Sequence, residues 1–501
     1  MMKIKFVLFT LLCIVATFAI SAKEEKKDDE SNKKPPKEKT VEKKHSITIQ
    51  GKPIKYTSVA GTIILKDGDD EKASFFYTAY LKEGVEDSSS RPITFCFNGG
   101  PGSSSVWLHL GAFGPQKVVV KENGDSEPPY RLEDNPHSIL DITDLVFIDP
   151  VSTGYSRPAK GEDPKQFHGV DEDIKSVAEF IRLFVTKYER WESPKFIAGE
   201  SYGTTRAAGL ASELHDEYFM YVNGILLVSS VLDFQTMRDF GRGNDLPYVL
   251  FLPTYAATAH YHQLLKPELQ KKSLKEVVKE SETFALGQYA SALLQGDQLD
   301  ANERQEIEKK LSDYTGLSQS YIGDADLRVN SFQFRKQLMR GKKRNVGRFD
   351  SRYIGVDINP LAEKAMTDPS AEVVFGLFTA TFNHYVRTVL GWEQDEKYEI
   401  LANVFPWDWK ASNEYLNVAN GLRDVMSKNT QLKVFVANGY YDLATPFFAT
   451  EYTFNHLNLD PSLRENVMMK YYDAGHMMYI HKPSLVKLND DIRKFIQKTL
   501  N

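Results

Sequence analysis

Apolar residues follow three successive patterns along this chain. Across residues 45–97 they alternate with polar ones, as in Ala73-Ser74-Phe75-Phe76-Tyr77-Thr78-Ala79-Tyr80, and a period of two predicts strands. Short apolar runs at 93–97, 144–148, 195–198, 224–230, 431–438 and 466–472 predict buried strands of the same sheet. Between them, residues 169–191 place Ile174, Val177, Ile181 and Phe184 on one helical face, and the small residues of 204–214 read as a second helix. After Leu232 the period becomes helical, with charged stretches at 267–282 and 301–314, and the strand pattern returns only near Leu432. At 501 residues the chain exceeds a usual single domain. The pattern therefore predicts an α/β catalytic domain built from residues 46–233 and 406–501, interrupted by a mostly helical cap at 234–405 that covers the site.

The turn between the run 195–198 and the helix 204–214 is Gly199-Glu200-Ser201-Tyr202-Gly203. Two glycines flanking a serine between strand and helix make a nucleophile elbow, which presents the hydroxyl at the carboxyl edge of the sheet. Such a fold, the α/β-hydrolase fold with a central mixed, mostly parallel sheet, requires an acid and then a histidine after later strands. Asp442 follows the run 431–438 on the turn Gly439-Tyr440-Tyr441-Asp442, and His476 follows 466–472 on Asp473-Ala474-Gly475-His476. Asp424 and Asp473 compete with Asp442, and His481 competes with His476, but none of the three pairs a strong strand end with a glycine turn in the same way. Ser201, Asp442 and His476 are the expected nucleophile, acid and general base.

Upstream, the run 93–97 leads into Asn98-Gly99-Gly100-Pro101-Gly102-Ser103-Ser104. A glycine loop after an early strand offers bare N–H groups, and those of Gly100 and Tyr202 are the expected oxyanion hole. A phosphate cradle is the competing reading. The loop lacks a Gly-Lys-Ser/Thr ending, and Pro101 removes one donor.

Together with Asp149-Pro150-Val151-Ser152-Thr153-Gly154-Tyr155-Ser156 and Ala474-Gly475-His476-Met477, these strings resemble the serine carboxypeptidase family of α/β-hydrolases from about residue 75 onward. The resemblance implies a secreted peptidase that removes residues one at a time from peptide C-termini, commonly in acid, with no cofactor. It also puts Asn98 and Glu200 at positions that hold the substrate's terminal carboxylate. A protonated Glu200 would donate a hydrogen bond there, a contact that weakens as pH rises. The chain departs from the family at Cys96-Phe97 before Asn98, at Ser103 in place of a cysteine, and at Ala112, where well-known members carry a glutamate that shares a proton with the Glu200 position. Esterase or acyltransferase chemistry on the same triad stays open, as does a non-catalytic binding role.

Composition adds the setting. Residues 1–22 combine basic Lys3 and Lys5, an apolar stretch 6–20 and small residues at Ala19 and Ala22, the pattern of a signal peptide; the stretch is too short for an integral membrane anchor. Residues 23–45 are almost wholly charged or polar and predict a disordered linker. The formal charge of −6 argues against nucleic acid as a partner. His260 and His262 have no third ligand nearby, so no metal is expected. Loss of Cys13 with the leader leaves Cys96 alone, and since eukaryotic secretory members usually carry disulfides, a bacterial-type member in the periplasm or outside the cell is expected.

Overall fold

The computed structural model describes residues 38–121, 126–238 and 243–501. The expected signal peptide at 1–22 and the charged stretch 23–37 lie outside these residues. A ten-stranded sheet forms the centre. Three long strands, β1 (Thr40–Ile49), β2 (Lys52–Asp67) and β3 (Asp70–Lys82), pair antiparallel at one edge. The others are β4 (Ile93–Phe97), β5 (Asp144–Ile148), β6 (Lys195–Glu200), β7 (Gly224–Val228), β8 (Lys433–Gly439) and β9 (Val467–Tyr472). Their spatial order is β1-β2-β3-β5-β4-β6-β7-β8-β9, antiparallel as far as β5 and parallel beyond it. The short strand Arg157–Pro158 pairs with β3 off this path.

β1 corrects the expected linker boundary. It begins at Thr40, inside the segment 23–45 expected to be disordered, and pairs along its whole length with β2. Its Lys43 and Lys44 are exposed on the outermost strand of the sheet. Charge is what an edge strand needs to discourage pairing with another chain, so the composition that suggested disorder belongs to a sheet edge.

The central strands are buried on both faces, which is why they read as unbroken apolar runs. In β4 the side chains of Ile93, Phe95 and Phe97 face one core and that of Cys96 the other. Helices α1 (Val170–Lys187) and α2 (Tyr202–Tyr218) fill the first core through Ile174, Val177, Ile181, Phe184 and Leu210. Asp173 of α1 turns inward and meets the buried Arg206 of α2 at 2.8 Å. The same guanidinium donates to the carbonyl of Asn98 at 2.6 Å. One buried ion pair thus ties both helices to the glycine loop.

The inserted region divides into two parts with different roles. Helix α3 (Leu246–Tyr261) and the shorter helices up to residue 338 surround a third core that also takes in Tyr440, Tyr441, Leu443, Phe447 and Phe448 after β8. Helix α4 (Pro369–Thr388) instead packs Val374, Leu377, Phe378, Phe382 and Tyr385 into the second core of the sheet, with Trp107, Leu108 and His109. That core is completed by the last helix, α5 (Lys482–Leu500). The expected cap 234–405 is therefore a helical lobe followed by a segment integral to the main body, because the apolar face of α4 recurs at three- and four-residue spacing and must be buried.

Replacing Arg206 with methionine strands Asp173 as an unpaired buried acid. Urea denaturation of Arg206→Met is expected to show a loss of about 3–5 kcal/mol, the usual cost of removing one partner of a buried pair.

Candidate active site

Five loops converge at the carboxyl ends of the parallel strands. Ser201 stands between β6 and α2 with φ 60° and ψ −130°, a strained backbone for a residue with a Cβ. Its N–H donates to the carbonyl of Val228 at 3.0 Å. The flanking glycines are required by contact: a Cβ on Gly199 would sit 2.1 Å from the carbonyl oxygen of Gly203. The elbow is thus held by neighbours on both sides.

Asp442 follows β8 and is wholly buried. One of its carboxylate oxygens accepts from the N–H groups of Ala444 and Thr445 at 2.7 and 2.9 Å. The other accepts from the Thr445 hydroxyl and from Nδ1 of His476, both at 2.7 Å. Burial alone would lower the His476 pKa, but the charge and hydrogen bond of Asp442, joined by the charge of Glu200, outweigh it and raise the pKa above the ordinary value. Among the described residues no hydrogen bond joins Ser201 to His476; contacts of this kind tighten when substrate binds. The competitors are occupied elsewhere. Asp424 pairs with Arg423, Asp473 gives its carbonyl to Arg352, and His481 bonds Ser484.

A segment that the sequence pattern did not single out fastens these loops together. The Phe349 carbonyl accepts from the His476 N–H at 2.5 Å, and Asp350 accepts from the Gly475 N–H at 2.9 Å. The Arg348 carbonyl accepts from the Leu443 N–H, and the Ser351 N–H donates to the Tyr441 carbonyl. The Phe349 ring stacks on the imidazole of His476 at 5.2 Å between centroids. Residues 347–353 so bind the acid loop and the histidine loop at once. The signal available in sequence was Gly347 followed by charged and aromatic residues, and nothing in that pattern specifies main-chain partners 90 or more residues away.

The glycine loop after β4 lies against the start of α2. A Cβ on Gly99 would approach the Tyr202 nitrogen to 2.4 Å, and Gly100 adopts φ +101°, which favours glycine. Asn98 accepts from the Leu108 N–H through its carboxamide oxygen and hydrogen-bonds Glu200. Glu200 is buried, and its pKa is pushed up to about 7, first by burial. The charge of His476 and the hydrogen bonds from Tyr479 and Asn98 pull it the other way. The Tyr479 hydroxyl donates to it at 2.7 Å. Tyr479 was missed by sequence reasoning although it lies three residues past His476. Its ring fits only because Gly111 has no side chain: a Cβ there would stand 2.4 Å from the ring. The carbonyl of the neighbouring Ala112 accepts from the side chains of Asn135 and Asn489.

Asn98, Gly99, Gly100, Glu200, Ser201 and His476 line one cavity of about 470 Å³. Its walls are Trp107, Phe349, Val374, Phe375, Leu401 and Phe405, so α4 and the inserted segment build the apolar side. Tyr202 does not line it but directly follows Ser201 as the first residue of α2, where the first N–H groups have no acceptor within the helix. All the expected site residues are therefore brought together.

Glu200 shares its raised pKa with Asp149, a second wholly buried acid, also pushed up to about 7 by burial. Asp149 accepts from the Ser105 N–H at 2.9 Å and the Tyr398 hydroxyl at 3.2 Å. Both acids bind protons in the folded state that the unfolded chain releases near pH 4, so their stabilisation is full in acid and is lost as pH rises through about 7. Melting temperatures followed from about pH 4 to about pH 8 are expected to fall more shallowly for Glu200→Gln with Asp149→Asn than for the unaltered chain.

Comparison with known proteins places this geometry. The family model described as serine carboxypeptidase matches residues 51–485. Serine carboxypeptidase-like 34 of Arabidopsis thaliana is 27% identical over 197 residues, 37% of this chain and 37% of its own length. Carboxypeptidase Y of Candida albicans is 30% identical over 168 residues, 33% of this chain and 28% of its own. The chain thus spans only about a third of the length of these curated relatives. The crystal structure of Kex1Δp, a prohormone-processing carboxypeptidase from Saccharomyces cerevisiae, superposes with a TM-score of 0.52 over 88% of this chain and 92% of that one, at 17% identity, a likeness of fold. These relatives are plant and fungal, and give the expected bacterial membership no support. The match of the family model over most of the sequence, on an α/β-hydrolase fold, is decisive: the chain belongs to the serine carboxypeptidase family.

Proposed function

We propose that this chain is an exported serine carboxypeptidase that hydrolyses the last peptide bond of its substrates through an acyl-enzyme on Ser201. The observation that carries the reading is the pairing of Glu200, neutral below about pH 7, with the nucleophile beside it. A neutral acid next to Ser201 can donate to the terminal carboxylate, with the Asn98 amide as second donor. An ionised one would repel it.

In the first half-reaction His476 takes the Ser201 proton as the oxygen attacks the carbonyl carbon. The N–H groups of Gly100 and Tyr202 receive the oxyanion. His476 then gives its proton to the departing amine, and the C–N bond breaks. In the second, water attacks the ester, losing its proton to His476, which returns it to Ser201. Asp442 holds the imidazole in the tautomer that accepts at Nε2 and stabilises its protonated form. Supporting export are the basic and apolar N-terminal pattern and the burial of Cys96, the sole cysteine after residue 13. A bacterial periplasmic or extracellular setting rests on the same grounds.

Release of free amino acid from an N-blocked dipeptide, compared with its C-terminal amide, tests the reading. The free acid is expected to be cleaved and the amide spared, with Ser201→Ala lowering kcat by about 10⁶-fold. Cleavage of simple esters with neither peptide turned over would move the reading to an esterase or acyltransferase. For the free acid, KM is expected to rise as pH increases through about 7, where Glu200 loses its proton, and Glu200→Gln is expected to flatten that rise. Tyr479→Phe removes a donor that favours the ionised form of Glu200, and should move the KM rise to higher pH.

A further inference from the structure

One charged side chain in the cavity is left unused by this mechanism. Arg348 lines the cavity together with Ser201 and His476, carried there by the inserted segment. It is half-buried, and among the described residues its guanidinium makes no ion pair or hydrogen bond. The acids around it are committed. Asp368 accepts from the Arg348 N–H, but also caps α4 through Ser370 and pairs with Arg335 at 3.8 Å. Asp350 is held by Arg352 at 2.6 Å and by the Gly475 N–H. The guanidinium instead lies over the Phe349 ring, 5.6 Å from its centre.

A guanidinium facing a substrate cavity without a counter-ion is a ready receptor for a carboxylate, because its planar donors match both oxygens. The terminal carboxylate already has its donors in Asn98 and Glu200. Arg348 enters the cavity from a different segment, with its carbonyl bonded to the acid loop and its neighbour Phe349 stacked on the imidazole of His476. We propose that Arg348 is a specificity-determining residue that selects substrates with an acidic side chain next to the scissile bond. The inference rests on the carboxypeptidase reading for its substrate class. It also defines a working window, since the substrate's side chain must be ionised, above about pH 4, while Glu200 still carries its proton, below about pH 7.

The test uses the full chain and N-blocked dipeptides with glutamate, phenylalanine or lysine at the released residue or at the one before it. The expected result is a kcat/KM ratio favouring glutamate over phenylalanine at one of these positions, falling about tenfold or more in Arg348→Gln, largely kept in Arg348→Lys, and turned toward lysine in Arg348→Glu. A gain of lysine cleavage cannot come from misfolding. An equal loss on all peptides in Arg348→Gln would overturn the proposal and assign the residue to the terminal carboxylate. An unchanged ratio would overturn it outright. If no peptide is cleaved, the carboxypeptidase reading fails separately, and the ratio is then read on Ser201-dependent hydrolysis of hemisuccinate against acetate esters. A preference for hemisuccinate lost in Arg348→Gln would still support an anion-selecting role, and its absence would sink it.

Discussion

The 2.7 Å bond between Asp442 and His476 exists because loops from two adjacent parallel strands are fastened to a third segment. Neither loop has regular structure of its own to hold it. The Tyr441 N–H reaches the Ala474 carbonyl across the pair, and residues 348–351 close both loops from outside through main-chain bonds and the Asp350 carboxylate. A buried imidazole pays a desolvation cost when it takes up a proton, and only an acid fixed at hydrogen-bond distance offsets that cost. The general-base chemistry proposed for His476 therefore depends on the inserted segment as much as on the sheet.

The second constraint is electrostatic and lies on the other side of Ser201. Burial holds Glu200 near neutrality in charge, while Tyr479 and Asn98 donate to it and resist that effect. Acids with raised pKa values at Glu200 and Asp149 give the fold and the proposed substrate contact the same dependence on pH. Stability and the proposed binding of a terminal carboxylate both favour the acid side of neutrality, without any change of shape.

Much of this was legible in sequence because parallel strands buried on both faces leave unbroken apolar runs. The bounds of β4 and β5 follow directly from the runs 93–97 and 144–148, and β7 occupies Gly224–Val228 within the run 224–230. The elbow, the acid turn and the histidine turn were legible because glycine contacts mark them. What escaped was set by long-range partners. The charges of residues 40–45 suggest disorder until β2 pairs with them. Helix α4 shares a helical period with the lobe before it, and periodicity alone does not say which core receives it. Tyr479 needed the space left at Gly111, and the fastening role of residues 347–353 is written mainly in backbone groups, which sequence does not vary.

That last fact bears on how such a pocket can diversify. At Arg348 and Ser351 the links to the acid loop run through the main chain, whereas at Asp350 the link to the histidine loop is the side chain itself. The side chain at 348, which lines the cavity, can therefore change identity while the carbonyl beneath it continues to hold the acid loop in place. Position 350 has no such freedom. Two residues of one short turn are thus under opposite structural constraint, one free to exchange its side chain and the other held to a carboxylate by the Gly475 N–H.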